Sequence, residues 1–153
     1  DTKIKINEDL LMNYIIFKRA EKVVFEDIPF YHYILRKNSA TTSKKQRYHF
    51  SDPIKVTCLI KEDCVQNKEL YESVYERYLR SLINMAMQEV WIEDAHIAKR
   101  KIKEEVQNRN VFEFCNSKKM ILMTVGVGWL EPIYKVIRKI YDMITGIKKY
   151  EVN

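Results

Sequence analysis

Leu70, Tyr71, Val74, Tyr75, Tyr78, Leu82 and Met85 return every three or four residues between about Lys68 and Trp91. That spacing matches the 3.6-residue turn and lays an apolar stripe along one side of a long helix. Turn formers are scarce around it, with three glycines and three prolines in 153 residues. So few breaks favour long helices over a many-stranded sheet. The chain is about one domain long and can bury a core. With 46% hydrophobic and 31% charged residues it is not a disordered tail.

Other helices follow from the same signals. Asn7 reads as an N-cap, with Glu8 and Asp9 in the first turn of a helix running to Ala20. Asp52-Pro53 reads as a cap followed by proline at the first helical position, opening a helix to about Gln66 with Ile54, Cys58 and Leu59 inward. Asp94 reads as the cap of a charged helix to about Gln107. One or two helices fit between Val111 and Val125, and Gly126 and Gly128 predict a break. A last helix is expected from about Leu130 to Ile144, with Ile133, Ile137, Ile140 and Ile144 on one face. Two short strands are expected earlier, one around Val23, Val24 and Phe25 and one from Phe30 to Leu35. A polar, basic loop, RKNSATTSKK, spans Arg36 to Lys45.

The expected class is therefore α+β, predominantly α-helical, with 1–50 carrying the strands and 51–153 helical. Two strands alone make a marginal sheet. They call for a preceding segment that supplies the rest of the sheet. The chain also opens on Asp1 rather than methionine, which reads as a piece of a longer protein. Unpaired strand edges make a homo-oligomer a further expectation.

Charge and cysteines narrow the function classes. The net charge is +6, and the basic residues are interleaved with acids. No recognition-helix or RNP-like motif is visible, so nothing beyond charge points to nucleic acid. Cys58, Cys64 and Cys115 form no C-x-x-C pair and are odd in number, so neither a disulfide framework nor a zinc site is indicated. A reducing, cytoplasmic compartment fits. No apolar run is long enough to span a bilayer.

Two constellations can carry chemistry. Glu8-Asp9 can act as general base or as acceptor of sugar hydroxyls, and is equally what a helix dipole selects in a first turn. In the run from Pro29 to Ser39, Tyr31, His32 and Tyr33 alternate across a strand before Arg36 and Ser39. Arginine can hold a diphosphate in a bidentate fork, and the same run also reads as a half-buried strand with a solvated loop.

In order and spacing these residues resemble the family-2 glycosyltransferases of bacterial polysaccharide synthesis. The family pattern looks like E-D-L-L-x-N, a helix, V-x-F, then P-L-Y-x-Y-x-x-R-x-x-S. Glu8-Asp9-Leu10-Leu11 with Asn13, Val23-Val24-Phe25, Pro29 with Tyr31 and Tyr33, and Arg36 with Ser39 match it over about the first 45 residues. Ile34 departs from it, because relatives often carry an arginine there. The resemblance implies the C-terminal end of a GT-A catalytic domain over 1–50 and a helical C-terminal region over 51–153. It implies inverting transfer of a sugar from a nucleotide-sugar donor to a polysaccharide or lipid-linked acceptor. Asp9 would be the base, Glu8 its orienting neighbour, and Arg36, Ser39 and His32 substrate-binding groups. A divalent metal, magnesium or manganese, is implied for the full-length protein. No Asp-x-Asp occurs in this chain, so no metal or cofactor is expected in it and the chain alone is expected to be inactive. The alternative is a non-catalytic helical interaction module.

The C-terminal helix supplies one further partner. Lys135, Arg138, Lys139, Lys148 and Lys149 accompany its isoleucine face, a pattern that fits peripheral contact with the inner face of an anionic membrane and equally a basic solvent face. Vesicle binding unchanged by deletion of 130–153 would dispose of the membrane contact.

Overall fold

The computed structural model describes residues 3–28 and 44–130, together with 132, 133, 136, 137, 140 and 143. Among the described residues six helices have full bounds: α1 (Glu8–Arg19), α2 (Tyr48–Asp63), α3 (Lys68–Ala86), α4 (Ile92–Gln107), α5 (Asn110–Phe114) and α6 (Lys118–Trp129). The predominantly helical class expected from the sequence is what the chain adopts.

The long stripe forms α3, and α3 is the hub of the bundle. It packs against α2, α4, α5 and α6. Its N-terminus is set by Asn67, whose side chain accepts from the Leu70 amide at 3.1 Å. Tyr75, Tyr78, Leu79, Leu82 and Ile83 face inward and meet Ile102, Val106, Val111 and Val127 from α4, α5 and α6. A second cluster, Val56, Ile60 and Cys64 on α2, takes the inner side of α1 through Leu10, Leu11 and Tyr14.

Several expectations are corrected. α2 starts five residues before Pro53, because Asp52 is not a cap. It is 1% exposed and accepts the Lys5 amide at 2.9 Å, pinning the N-terminal segment onto α2. Leu59 turns outward, and Val56, Thr57 and Ile60 fill the core side. Asp94 does not cap α4. Its carboxylate forms a bidentate pair with Arg47 at the start of α2. Asn7 makes no side-chain cap either and adopts the left-handed conformation, with φ of 65°.

Gly126 and Gly128 do not break the chain. α6 runs through both to Trp129, and Gly128 lies against Ile102 and Val106 of α4. Packing an apolar helix on α4 outweighs a glycine penalty of about 1 kcal/mol. The strand expected around Val23 to Phe25 is also absent. Residues 22–28 are irregular, and Val24 and Phe25 are 71% and 87% exposed. A lone segment lacking a ladder partner has nothing to satisfy its backbone or cover its side chains. The second expected strand, 30–35, lies outside the described residues. The described positions of the last expected helix are helical, and Ile133, Ile137 and Ile140 face solvent.

Candidate functional site

The acid pair sits where α1 leaves the bundle wall. α1 has no fully buried residue, so its position depends on a few anchors. Leu10, Leu11 and Tyr14 lie on the second core cluster. At the other end of α1, the Asp63 carboxylate receives the Tyr14 hydroxyl at 2.6 Å and the Lys18 ammonium at 2.6 and 2.7 Å. The Lys18 hydrogen bonds, then that of Tyr14, hold Asp63 below the usual carboxylate range. Burial, reinforced by the bond to Asp63, pushes the Tyr14 phenol up to about 12.

Glu8 and Asp9 are both exposed in the first turn. The Leu10 amide donates to Asp9 Oδ1 at 2.7 Å. That bond engages one of the two carboxylate oxygens of Asp9. Just before the pair, the side chain of Asn7 has no hydrogen-bond partner among the described residues.

A cleft of about 470 Å³ opens beside this turn. Asn7 and Pro53 form one wall, and α3 forms the other through Ser73, Glu76, Arg77, Arg80, Ser81 and Asn84. Ser73, Arg77, Arg80 and Asn84 follow one another at spacings of four, three and four residues, so they share one helix face. Glu76 pairs with Arg80 at 3.4 Å. Among the described residues Arg77 has no ion pair. The sequence signal for this wall was a polar stripe on the face of α3 opposite its apolar one.

Of the expected site residues, Glu8 and Asp9 are adjacent and exposed in the first turn of α1, and neither lines the cleft, which on this side is bounded by Asn7. His32, Arg36 and Ser39 lie outside the described residues.

A second polar cluster has a structural role. Glu105 on α4 accepts from the Tyr75 hydroxyl and from the Asn110 carboxamide, each at 2.8 Å. Lys61 lies 3.9 Å from Glu105 and 4.2 Å from the centroid of the Tyr78 ring. Burial, then the Glu105 charge, drives the Tyr75 phenol far above its ordinary value. Tyr78 is raised in the same way by burial. Burial also raises the thiols of Cys58, Cys64 and Cys115. These groups stay protonated at neutral pH and are poor nucleophiles.

Among the described residues no group of three or more His, Cys, Asp or Glu side chains could hold a metal ion. No Asp-x-Asp occurs in the chain either, so the described residues offer no fit to the metal that the family resemblance implies. Among the described residues no helix is long and apolar enough to cross a membrane. Comparison with protein-family models, with curated proteins and with solved structures finds no match.

Proposed function

We propose that this chain is the C-terminal part of an inverting, nucleotide-sugar-dependent glycosyltransferase, with Asp9 as the base that activates the acceptor hydroxyl. The observation that carries the reading is the Glu8-Asp9 pair, exposed in the first turn of an apolar helix beside a polar cleft. The motif order through Ser39 supports it. The solvent-facing Met12, Ile16 and Phe17 of α1 and Val23, Val24 and Phe25 after it support it too. Apolar surface of that extent fits packing against a further part of the same enzyme.

In this mechanism Asp9 Oδ2 takes the proton of the acceptor hydroxyl as that oxygen bonds to the anomeric carbon. The bond from the anomeric carbon to the diphosphate breaks, and its electron pair leaves with the nucleoside diphosphate. The anomeric configuration inverts because attack and departure are on opposite faces. The bond from the Leu10 amide to Oδ1 keeps the carboxylate from rotating away. Glu8, adjacent in the same turn, orients the acceptor. The donor diphosphate is held elsewhere in the enzyme, with Arg36, Ser39 and His32 contributing from this chain. Transfer takes place at the cytoplasmic face of the membrane, where the exposed Trp129, Ile133 and Ile137 stripe meets a lipid-linked acceptor.

The test uses the protein from its complete reading frame and a panel of uridine diphosphate sugars. Transfer is expected, and Asp9→Asn should lower kcat about 10²- to 10⁴-fold with the donor KM little changed. An Asp9→Asn enzyme as fast as its parent sinks the assignment. A complete protein that transfers no sugar leaves the exposed apolar surface as that of a non-catalytic interaction module.

A further inference from the structure

The cleft holds chemistry that the base mechanism does not use. Arg77 and Arg80 are three residues apart on α3, so their stems start about 5–6 Å from one another and both guanidinium groups can converge on one ligand. Glu76 also lines the cleft, and its carboxylate pairs with Arg80 at 3.4 Å, engaging part of the Arg80 donor set. A guanidinium carries five N–H donors, so Arg80 retains others. Arg77 has no ion pair among the described residues.

The serines of the cleft are already committed. The Ser73 hydroxyl donates to the Glu69 carbonyl and the Ser81 hydroxyl to the Arg77 carbonyl, each at 3.0 Å. They offer lone pairs, which repel an anion. Recognition of negative charge therefore falls to the two arginines, whose planar forks match phosphate and carboxylate.

The opposite wall carries Asn7. Its backbone lies at φ of 65° and its carboxamide does not cap α1. Left-handed backbone is uncommon outside glycine, and asparagine tolerates it best. An asparagine before a helix normally turns its side chain onto the first amides. Here it forgoes that bond, and the amide remains for something else in the cleft. Asp9 follows two residues later, so its Cα lies within about 7 Å of that of Asn7. A cleft of about 470 Å³ falls in the size range of small-ligand sites, roughly 300–1,000 Å³.

We propose that this cleft is an anion-binding subsite in which Arg77 and Arg80 hold an oxyanion borne by the sugar acceptor and Asn7 holds a neighbouring hydroxyl. The term acceptor rests on the transferase reading above, while the anion site rests on the cleft alone. The oxyanion is either the diphosphate of a lipid-linked sugar or the carboxylate of a uronate-containing glycan. Both present a planar or tetrahedral set of oxygens on a polyol.

The experiment titrates this chain with inorganic pyrophosphate and, separately, with glucuronate, following arginine side-chain and backbone amide resonances. Saturable shifts at Asn7 and along 73–84 are expected. Arg77→Ala and Arg80→Ala should each weaken binding at least about tenfold. Arg77→Gln, which retains most of the stem, repeats the test with less loss of packing, and an unchanged thermal midpoint certifies each variant. Preference for pyrophosphate identifies the lipid diphosphate, and preference for glucuronate the acidic glycan. No saturable shift with either probe overturns the subsite, as does binding that neither arginine substitution weakens. The titration needs no transfer activity. Its failure leaves the transferase reading standing, and a silent Asp9→Asn in the complete enzyme leaves the subsite standing.

Discussion

Tyr75 is 1% exposed yet carries a hydroxyl, and a buried hydroxyl must be bonded. It donates to Glu105 at 2.8 Å, and the Glu105 side chain is itself only 14% exposed where α4 meets α2, α3 and α5. Removing that donor leaves a carboxylate oxygen with Asn110 as its remaining close donor and Lys61 at 3.9 Å. Tyr75→Phe keeps the ring packed against Tyr71 and Phe114 and deletes only the bond. A hydrogen bond to a charged group contributes about 1.5–3 kcal/mol. Urea unfolding of the variant should show a stability lower by that amount, read as a lower midpoint with an unchanged slope. Equal midpoints would mean that Lys61 and Asn110 satisfy Glu105 without the phenol. The contrast with Asp9 is instructive. One carboxylate is walled in by three partners and serves the fold. The other is exposed and accepts the amide of its neighbour Leu10.

Helices were legible where one face was repetitive and the ends were chemically marked. α3 follows from its stripe alone, and α1 from an acid pair leading an apolar run. Boundaries set by distant contacts were not legible. The start of α2 depends on Asp52 meeting the Lys5 amide, a contact spanning most of the N-terminal third of the chain. The straight passage of α6 depends on α4. Gly128 illustrates it: a Cβ built there would lie 3.4 Å from Ile102 Cγ2 and 3.6 Å from Val106 Cγ2, an ordinary van der Waals approach. The glycine is thus not required by crowding, and its backbone freedom costs helix stability. Gly128→Ala should stabilise the protein by roughly 0.5–1 kcal/mol, read as a raised denaturation midpoint. Destabilisation would mean that α4 and α6 already touch too closely to admit a methyl group. The candidate site divides along the same line. Glu8 and Asp9 could be read from their place in a helix, whereas the cleft forms only because Asn7 and Pro53 land beside a stripe of α3 that begins some seventy positions after Asn7.

At the scale of the molecule, α1 is the lightly fastened part and the α3 hub the firmly packed one. Both depend on tyrosines kept neutral. Tyr14 is pushed up to about 12, and Tyr75 and Tyr78 lie well above their ordinary value of 10.0. A phenol with a folded pKa above its unfolded one contributes stability that is complete below the unfolded value. That contribution is lost as pH rises toward the folded one, because only the unfolded chain releases the proton. The window therefore opens near pH 10 and extends past 12. The urea midpoint should stay level from pH 7 to about 9 and fall steeply above 10. Tyrosinate absorbance should lag in the folded chain, with the last phenols ionising only as helical dichroism disappears. Lys18 and Lys61 also pair with carboxylates, so a second arm isolates the phenols. Tyr78→Phe removes one buried phenol and leaves both lysine pairs in place, and it should make the alkaline fall shallower. Complete ionisation of all ten tyrosines before any loss of helix would refute this account of alkaline unfolding.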